Sequence, residues 1–344
     1  MYRTDERAGQ GNRPGKGIFI DRNNRVINYL RISVTDRCNL RCIYCMPEGG
    51  IPVLPHEDIL SYEEILRIAK LAVRGGIRKV RLTGGEPLVR KGIVEFVRRL
   101  GALEGLEQIT LTTNGVLLAE MAEDLWAGGV RHINVSLDSL KAERYAKITR
   151  RDAFHRVWEG LREARRLGFD PIKINVVAMR GVNDDEILDL ARLSLEEPFH
   201  VRFIEFMPVG TDNGWNKETF ISTGEIRARI EQAGSLHPLA SRLLDGPAER
   251  FVLQGAKGEV GFIGALSHHF CSKCNRLRLT AEGGLRGCLF SDDEIDIKTP
   301  LRRGEPDECI AGLIQLAIDT KPVGHGSFLQ SPRKCSRNMS RIGG

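Results

Sequence analysis

Tyr29-Leu30-Arg31-Ile32-Ser33-Val34-Thr35-Asp36-Arg37-Cys38-Asn39-Leu40-Arg41-Cys42-Ile43-Tyr44-Cys45 is an alternating run that ends in a polar turn and leads straight into three cysteines. Leu30, Ile32 and Val34 alternate with Arg31, Ser33 and Thr35, the two-residue period of a strand with one apolar and one polar face. Outward from it the unit recurs. Runs at 79–83, 108–113, 132–137, 172–179 and 200–206 are separated by longer amphipathic stretches, so the pattern predicts six strands alternating with helices. Ser61 with Glu64, and Asn183 with Glu186, read as helix starts with capping partners, while Gly75-Gly76 and Gly128-Gly129 read as helix stops.

Beyond Gly210 the runs shorten and glycine punctuates them, at 250–254, 260–264, 277–280 and 285–290. These predict a β extension, followed by a last helix over 309–319 and an irregular tail ending in Gly343-Gly344. The expected fold class is α/β, a partial (β/α)6 TIM-like barrel over residues 26–210. Residues 1–25 form a partly flexible N-terminus, and 211–344 form the C-terminal extension that covers the gap left by two missing units.

The chemistry-bearing residues stand just after strands. In βα barrels those loops form the working face, so the cysteine loop, Gly84-Gly85-Glu86-Pro87, Thr112-Thr113-Asn114-Gly115 and Ser136-Leu137-Asp138 should share one mouth. On the strands, Lys79 and Arg81 oppose Val80 and Leu82, Lys173 and Asn175 oppose Ile172 and Ile174, and Arg276 and Arg278 oppose Leu277 and Leu279. With the apolar faces under helices, the cations point into the lumen; the alternative is a solvated sheet face. A lumen holding Lys79, Arg81 and Lys173, with Arg31 and Arg202, demands a ligand of several negative charges, and a nucleoside triphosphate meets that demand.

Composition narrows the partners. The 344 residues are 41% hydrophobic, enough for a large core, and carry 51 Lys and Arg against 45 Asp and Glu, a net charge of +6. No basic block or nucleic-acid motif stands out, and no apolar run approaches the ~20 residues of a membrane span or resembles a signal segment, so a cytoplasmic protein is expected. Six of the eight cysteines fall into two triads, with Cys309 and Cys335 apart. In a reducing compartment such triads argue for metal or redox chemistry.

Three thiolates at Cys38, Cys42 and Cys45 can hold three irons of a four-iron cluster and leave the fourth open, whereas structural zinc wants four ligands and His56 lies at no usual finger spacing. Cys271, Cys274 and Cys288 again number three. Zinc completed by His268, His269 or Cys309 is one reading and a second open cluster is the other.

Cys38-x-x-x-Cys42-x-x-Cys45, with Tyr44 before the last cysteine, resembles the radical S-adenosylmethionine enzymes. Gly84-Gly85-Glu86-Pro87 resembles their segment that meets the methionine amino group. The stretch from Leu30 to Asn39, Cys271-x-x-Cys274-Asn275-Arg276-Leu277-Arg278-Leu279-Thr280 and the Gly-Gly tail resemble, more closely, the GTP 3′,8-cyclases of molybdenum cofactor biosynthesis, over nearly the whole chain from Ile20. That resemblance implies two [4Fe-4S] clusters, on Cys38, Cys42 and Cys45 and on Cys271, Cys274 and Cys288, with Arg31 joining the first triad in the catalytic set. It implies S-adenosylmethionine contacts at Tyr44, Gly85, Ser136 and Met207. It implies GTP contacts at Arg31, Arg81, Thr112, Lys173, Arg276, Leu277, Arg278, Gly343 and Gly344, with Lys79 and Arg202 as further phosphate partners. The implied reaction takes the ribose 3′ hydrogen of GTP with a 5′-deoxyadenosyl radical and joins C3′ to C8, giving 3′,8-cyclo-7,8-dihydro-GTP for the cyclic pyranopterin monophosphate synthase that follows. A homodimer is implied too. The alternative within the superfamily is a peptide-modifying or sulfatase-maturing enzyme. Two features depart from the family pattern: Gly287, where a bulkier residue or proline is expected and whose smallness predicts a looser Cys288 loop, and His268-His269, which offer competing metal ligands.

Overall fold

Six strands stand where the two-residue period puts them: β1 (Tyr29–Ser33), β2 (Lys79–Thr83), β3 (Gln108–Thr113), β4 (His132–Ser136), β5 (Ile172–Ala178) and β6 (His200–Glu205). The computed structural model describes residues 17–210, 213–241, 244–324 and 335–343. All six strands pair in chain order and in parallel, with Tyr29 beside Lys79 and Lys79 beside Gln108. Leu30, Ile32, Val80, Leu82, Leu111, Ile133, Ile174 and Val201 are all fully buried beneath the helices. Each such side chain contributes about 1.5–3 kcal/mol, and the apolar rows thereby force the alternate, polar residues inward.

The connecting helices are α1 (Tyr62–Gly75), α2 (Ile93–Gly101), α3 (Leu118–Ala127), α4 (Ala142–Thr149), α5 (Phe154–Arg166) and α6 (Ile187–Glu196). Ser61 and Glu64 close the expected capping box on α1: Glu64 N donates to Ser61 Oγ at 3.1 Å and Ser61 N to Glu64 Oε2 at 2.6 Å. The second expected cap is corrected. Asn183 makes no side-chain cap, and α6 begins only at Ile187. Its amide instead accepts from Met179 N and donates to the Asp138 and Val177 carbonyls, while Glu186 accepts from Ser139 Oγ and Leu140 N. That pair staples two post-strand loops together. Gly75 ends α1 as expected and does more: a Cβ there would lie 1.9 Å from Phe19 Cζ, so the glycine also makes room for the N-terminal segment.

The extension supplies β7 (Leu236–Pro238), β8 (Glu249–Leu253), β9 (Glu259–Ile263), β10 (Arg276–Leu279), β11 (Gly284–Arg286) and β12 (Ile295–Asp296), with α7 (Thr223–Glu231), α8 (Lys298–Arg302), α9 (Asp307–Asp319) and α10 (Met339–Ile342). It builds onto both edges of the barrel sheet, in the order β12-β11-β10-β1-β2-β3-β4-β5-β6-β9-β8-β7. β10 runs parallel to β1 and β9 parallel to β6, so the parallel run reaches eight strands although six βα units exist. Between Ile263 and Arg276 the chain crosses from one edge to the other, and Cys271 and Cys274 lie on that crossing.

Both ends of the chain are also drawn in. Residues 1–16 of the segment expected to be flexible lie outside the described residues. Within 17–25, Arg25 is buried, pairs with Asp21 at 2.6 Å, and donates to the Cys271 and Pro322 carbonyls at 2.8 Å each. The expected irregular tail carries α10 and a parallel bridge from Val209 to Cys335. No helix among the described residues is long and apolar enough to cross a membrane.

Candidate active site

The loop after β1 is gripped by the end of α4. Arg41 N and Ile43 N donate to the Thr149 and Ile148 carbonyls at 2.9 Å each, and the Arg150 guanidinium reaches the Arg41 and Met46 carbonyls at 3.0 Å each. Cys38, Cys42 and Cys45 are all free and open on one cavity at the mouth of the barrel. Burial pushes all three thiols up, Cys42 well above its usual value and Cys45 to about 12. Such thiols stay neutral until a metal displaces their protons.

Gly84 and Gly85 press against the main chain of this loop. A Cβ on Gly85 would lie 2.3 Å from Arg37 O, and Gly85 N and Glu86 N donate to the Thr35 and Arg37 carbonyls at 2.7 and 2.8 Å. Glu86 lines the cavity with its carboxylate bound back into the loops, accepting from Asn114 N at 2.6 Å, Thr113 Oγ1 at 2.7 Å and Leu88 N at 3.1 Å. Burial pushes its carboxyl up to about 7. Asn114 in turn donates to Asn39 Oδ1 at 2.7 Å and approaches Cys38 Sγ at 3.8 Å. Glu86 thus ties three post-strand loops to the first cysteine. Glu86→Ala leaves three buried donors without an acceptor, at about 1–3 kcal/mol each, so a drop of at least ~3 kcal/mol is expected in denaturant unfolding, with Glu86→Gln losing less.

Tyr44 donates to Asp138 Oδ2 at 2.8 Å, and Val177 N donates to Asp138 Oδ1 at 2.8 Å. Burial raises the Asp138 carboxyl to about 6. Tyr44, Gly85, Ser136 and Met207 all line the cavity, as do Thr112 and the C-terminal Met339 and Ser340. Asn114 and Asp138, which sequence reading put at the mouth without a role, also line it, as does Glu205, which sequence reading did not single out. Their signal is position, a polar residue at or just past the end of a strand.

Cys271, Cys274 and Cys288 line the same cavity. Burial raises the Cys274 thiol, but Arg276 and Lys321 outweigh it and bring it down to about 6. Lys321, also missed by sequence, lies 3.4 Å from Cys274 Sγ and donates to the Arg276 and Gly287 carbonyls. The expectation of a loose Cys288 loop is corrected here. A Cβ on Gly287 would meet Lys321 Cα at 3.1 Å and Ala317 O at 3.2 Å, so the missing side chain lets the loop press on the end of α9. His268 and His269 are exposed and do not line the cavity, and His268 Nδ1 lies 3.1 Å from Ser267 Oγ. Among the described residues no three His, Cys, Asp or Glu side chains converge on a single ion. Two separate three-sulfur donor sets suit clusters with an open iron.

Tyr29, Arg31, Arg81, Arg202, Arg276 and Arg278 form the floor. Arg81 Nη1 donates to Thr112 Oγ1 at 3.2 Å, while Arg81 Nε, Asn134 Oδ1 and Asn175 Oδ1 are buried with no partner among the described residues. Buried polar atoms of this kind call for a ligand. Lys79 and Lys173 lie beneath the floor rather than on it; Lys79 Nζ donates to Leu244 O at 2.7 Å. Burial and neighbouring cations bring Lys79 down to about 8 and Lys173 down to about 6. Leu277 turns its side chain into the core under the helices, away from the cavity. Gly343 O accepts from Arg31 Nε at 3.2 Å and Arg278 Nη1 at 2.7 Å, which seats the tail on the cationic wall. Gly344 lies outside the described residues.

The family model described as Radical SAM superfamily matches residues 32–194, and the one described as Molybdenum Cofactor Synthesis C matches 199–327. A GTP 3′,8-cyclase of Moorella thermoacetica is 52% identical over 93% of this chain and 98% of its own length. One from Thermodesulfovibrio yellowstonii is 54% identical over 94% and 99%. Among solved structures, SuiB of Streptococcus suis bound to S-adenosylmethionine shares the fold, with a TM-score of 0.58 over 93% of this chain and 79% of that one, at 16% identity.

Proposed function

The chain belongs to the GTP 3′,8-cyclases, radical S-adenosylmethionine enzymes, and on that premise we propose how its cavity divides the work of cyclising GTP. That reaction is the first step of molybdenum cofactor biosynthesis, and the family carries a [4Fe-4S] cluster and S-adenosylmethionine. The observation that supports the division is that two cysteine triads and a cationic, partly unpartnered floor face one cavity.

Cys38, Cys42 and Cys45 hold the family's cluster, and Arg150 and Asn114 keep their loop in place. When bound, cluster and cosubstrate supply the radical that opens the ribose C3′–H bond. Tyr44, Gly85, Ser136 and Met207 contact the cosubstrate; Gly85, lacking a Cβ, lets its turn press against the Arg37 main chain of the cysteine loop. Arg31, Arg81, Arg202, Arg276 and Arg278 take the triphosphate, whose oxygens match guanidinium forks. Thr112 contacts the nucleotide too, and Lys79 and Lys173 add charge from below. Leu277 serves through its place on β10 between Arg276 and Arg278. Gly343 closes the mouth from the side of Arg31 and Arg278, and the GTP contact expected at Gly344 rests on the family resemblance.

Cys271, Cys274 and Cys288 would hold a second [4Fe-4S] cluster, and with only three protein ligands it would supply a coordination position that can take a guanine nitrogen or oxygen. Fixing the sugar against the cosubstrate and excluding water is the protein's share of the catalysis. The barrel core of 26–210 carries the radical source and 211–344 the nucleotide's second wall. A homodimeric, cytoplasmic enzyme passing its product to cyclic pyranopterin monophosphate synthase rests on the family resemblance.

The test is anaerobic reconstitution, then incubation with GTP, S-adenosylmethionine and a reductant. Equal amounts of 5′-deoxyadenosine and 3′,8-cyclo-7,8-dihydro-GTP are expected; 5′-deoxyadenosine formed with a peptide but not with GTP defeats the reading. Cys274→Ala is expected to keep the first cluster, cleave the cosubstrate more slowly and give no cyclised product. Normal product from that variant removes the second triad from the reaction.

A further inference from the structure

Seven basic side chains crowd one end of the barrel interior: Arg31 on β1, Lys79 and Arg81 on β2, Lys173 on β5, Arg202 on β6, and Arg276 and Arg278 on β10. Tyr29 stands among them. It lies across the sheet from Lys79 on one side and Arg276 on the other, with Lys79 Nζ 5.0 Å and Arg81 Cζ 5.7 Å from its ring centre. It is 1% exposed and lines the cavity. Acids are scarce here. Asp245 faces Lys79, Lys173 and Arg202, but it also pairs with Arg250 at 2.6 Å. Glu259 on β9 is shared between Arg250 and His200, the latter at 3.1 Å, and His132 on β4 adds no negative charge.

We propose that the Tyr29 hydroxyl is ionised as the counter-charge of this cation cluster while the cavity holds no polyphosphate, and that triphosphate binding drives a proton from solvent onto it. The inference rests on the triphosphate reading of the floor. Like charges packed in a low-dielectric pocket repel strongly, and a phenolate relieves them without an added acid. Burial alone raises the phenol, but Arg81, Arg31, Lys79 and Arg276 outweigh it and bring Tyr29 down to about 7. A triphosphate brings several negative charges to the same guanidinium groups. The phenolate then faces an anion in a dry site, takes up one proton, and as a phenol can donate to a phosphate oxygen.

The linkage has a definite sign. Above the free-protein value of about 7, binding requires protonation, so GTP affinity falls as pH rises, up to tenfold per unit for one proton. Below it that dependence vanishes. Lys79 and Lys173 titrate in the same sense, so the number of protons taken up does not single out the tyrosine. Its spectrum does. Tyr44, Tyr62 and Tyr145 are all raised by burial and stay silent.

The holoenzyme, without reductant or cosubstrate and one pH unit above that value, is titrated with GTP and separately with inorganic triphosphate. Ultraviolet absorbance follows tyrosinate and calorimetry follows binding. Loss of about one tyrosinate per bound ligand is expected, from both ligands. Tyr29→Phe, which keeps the ring and its packing, should bind GTP with no such loss and with a shallower fall of affinity with pH. Binding without loss of tyrosinate in the native protein overturns the inference, as does an equal loss in Tyr29→Phe. Absence of GTP binding in the calorimeter defeats the triphosphate reading itself.

Discussion

Gly343→Ala is expected to lower turnover by about 10²–10³-fold while S-adenosylmethionine still binds. Gly343 has φ of +71°, a conformation that costs a residue with a Cβ about 1–2 kcal/mol. The added methyl would also lie 2.6 Å from Thr83 Oγ1, well inside contact distance. Neither problem can be solved without moving the carbonyl that Arg31 and Arg278 hold. Each of those charge-assisted bonds contributes about 1.5–3 kcal/mol, so once the carbonyl moves the last residues lose their hold on the cationic wall, although buried Ile342 and the Arg337 pairs with Glu282 and Glu294 still anchor α10 behind them. Arg31 and Arg278 then lose the carbonyl that seats the tail at the edge of the nucleotide site, and water enters where the radical must be protected. Two measurements check this: kcat under anaerobic conditions, and the rate at which a protease clips the C-terminus. Turnover within threefold of the native enzyme, with the tail still protected, would show that the carbonyl's seat is incidental.

What the sequence made legible was periodicity. The starts of all six barrel strands matched, because a β-branched alternation between helices leaves a parallel sheet few alternatives. The same alternation placed Arg31, Arg81, Arg276 and Arg278 inside, since Leu30, Val80, Leu82 and Leu277 had to go outside. The cysteine triads and the Gly-Gly turn were visible because their chemistry demands fixed local spacing.

Long-range features were illegible for the opposite reason. Asn183 and Glu186 have the spacing of a cap, yet the loops bearing Asp138 and Ser139 compete for the same side chains and win. That β9 and β10 belong to opposite edges of one sheet follows from a crossing that no local pattern encodes. Glu86 was read as part of a cosubstrate motif, whereas its three donors come from its own turn and from the end of β3. Lys321 is a lysine after a helix, unremarkable until the fold brings Cys274 within 3.4 Å of it. Gly287 shows the same limit from the other side, because whether a missing side chain loosens or tightens a loop depends on what packs there.

Arg286→Ala is expected to be the most destabilising single change in the extension, at about 3–5 kcal/mol. In the sequence Arg286 sits next to Leu285 in the short run at 285–290, with nothing in that pattern to single it out. In the fold it is fully buried. Its guanidinium binds Glu294 and the Ser291 carbonyl, lies 3.3 Å from Cys335 Sγ, and reaches Leu289 O at 3.5 Å. One side chain therefore joins β11, the loop that follows Cys288 and the returning tail. Removing it takes from the Ser291 carbonyl its guanidinium donor and leaves a void the length of an arginine, while among the described residues Glu294 keeps only Arg337 as an ion-pair partner, at 3.0 Å. Arg286→Lys restores the charge but cannot reach Glu294 and the loop carbonyls together, so it should recover only part of the loss. A fall in Tm of about 5–10 °C is expected for the alanine variant. Because the damage centres on the Cys288 loop, iron should be lost selectively, with about half retained on the first triad after anaerobic reconstitution. A variant that melts with the native protein and keeps its full iron would mean that Arg286 is merely enclosed, and that β12 and the tail are held by their apolar contacts alone.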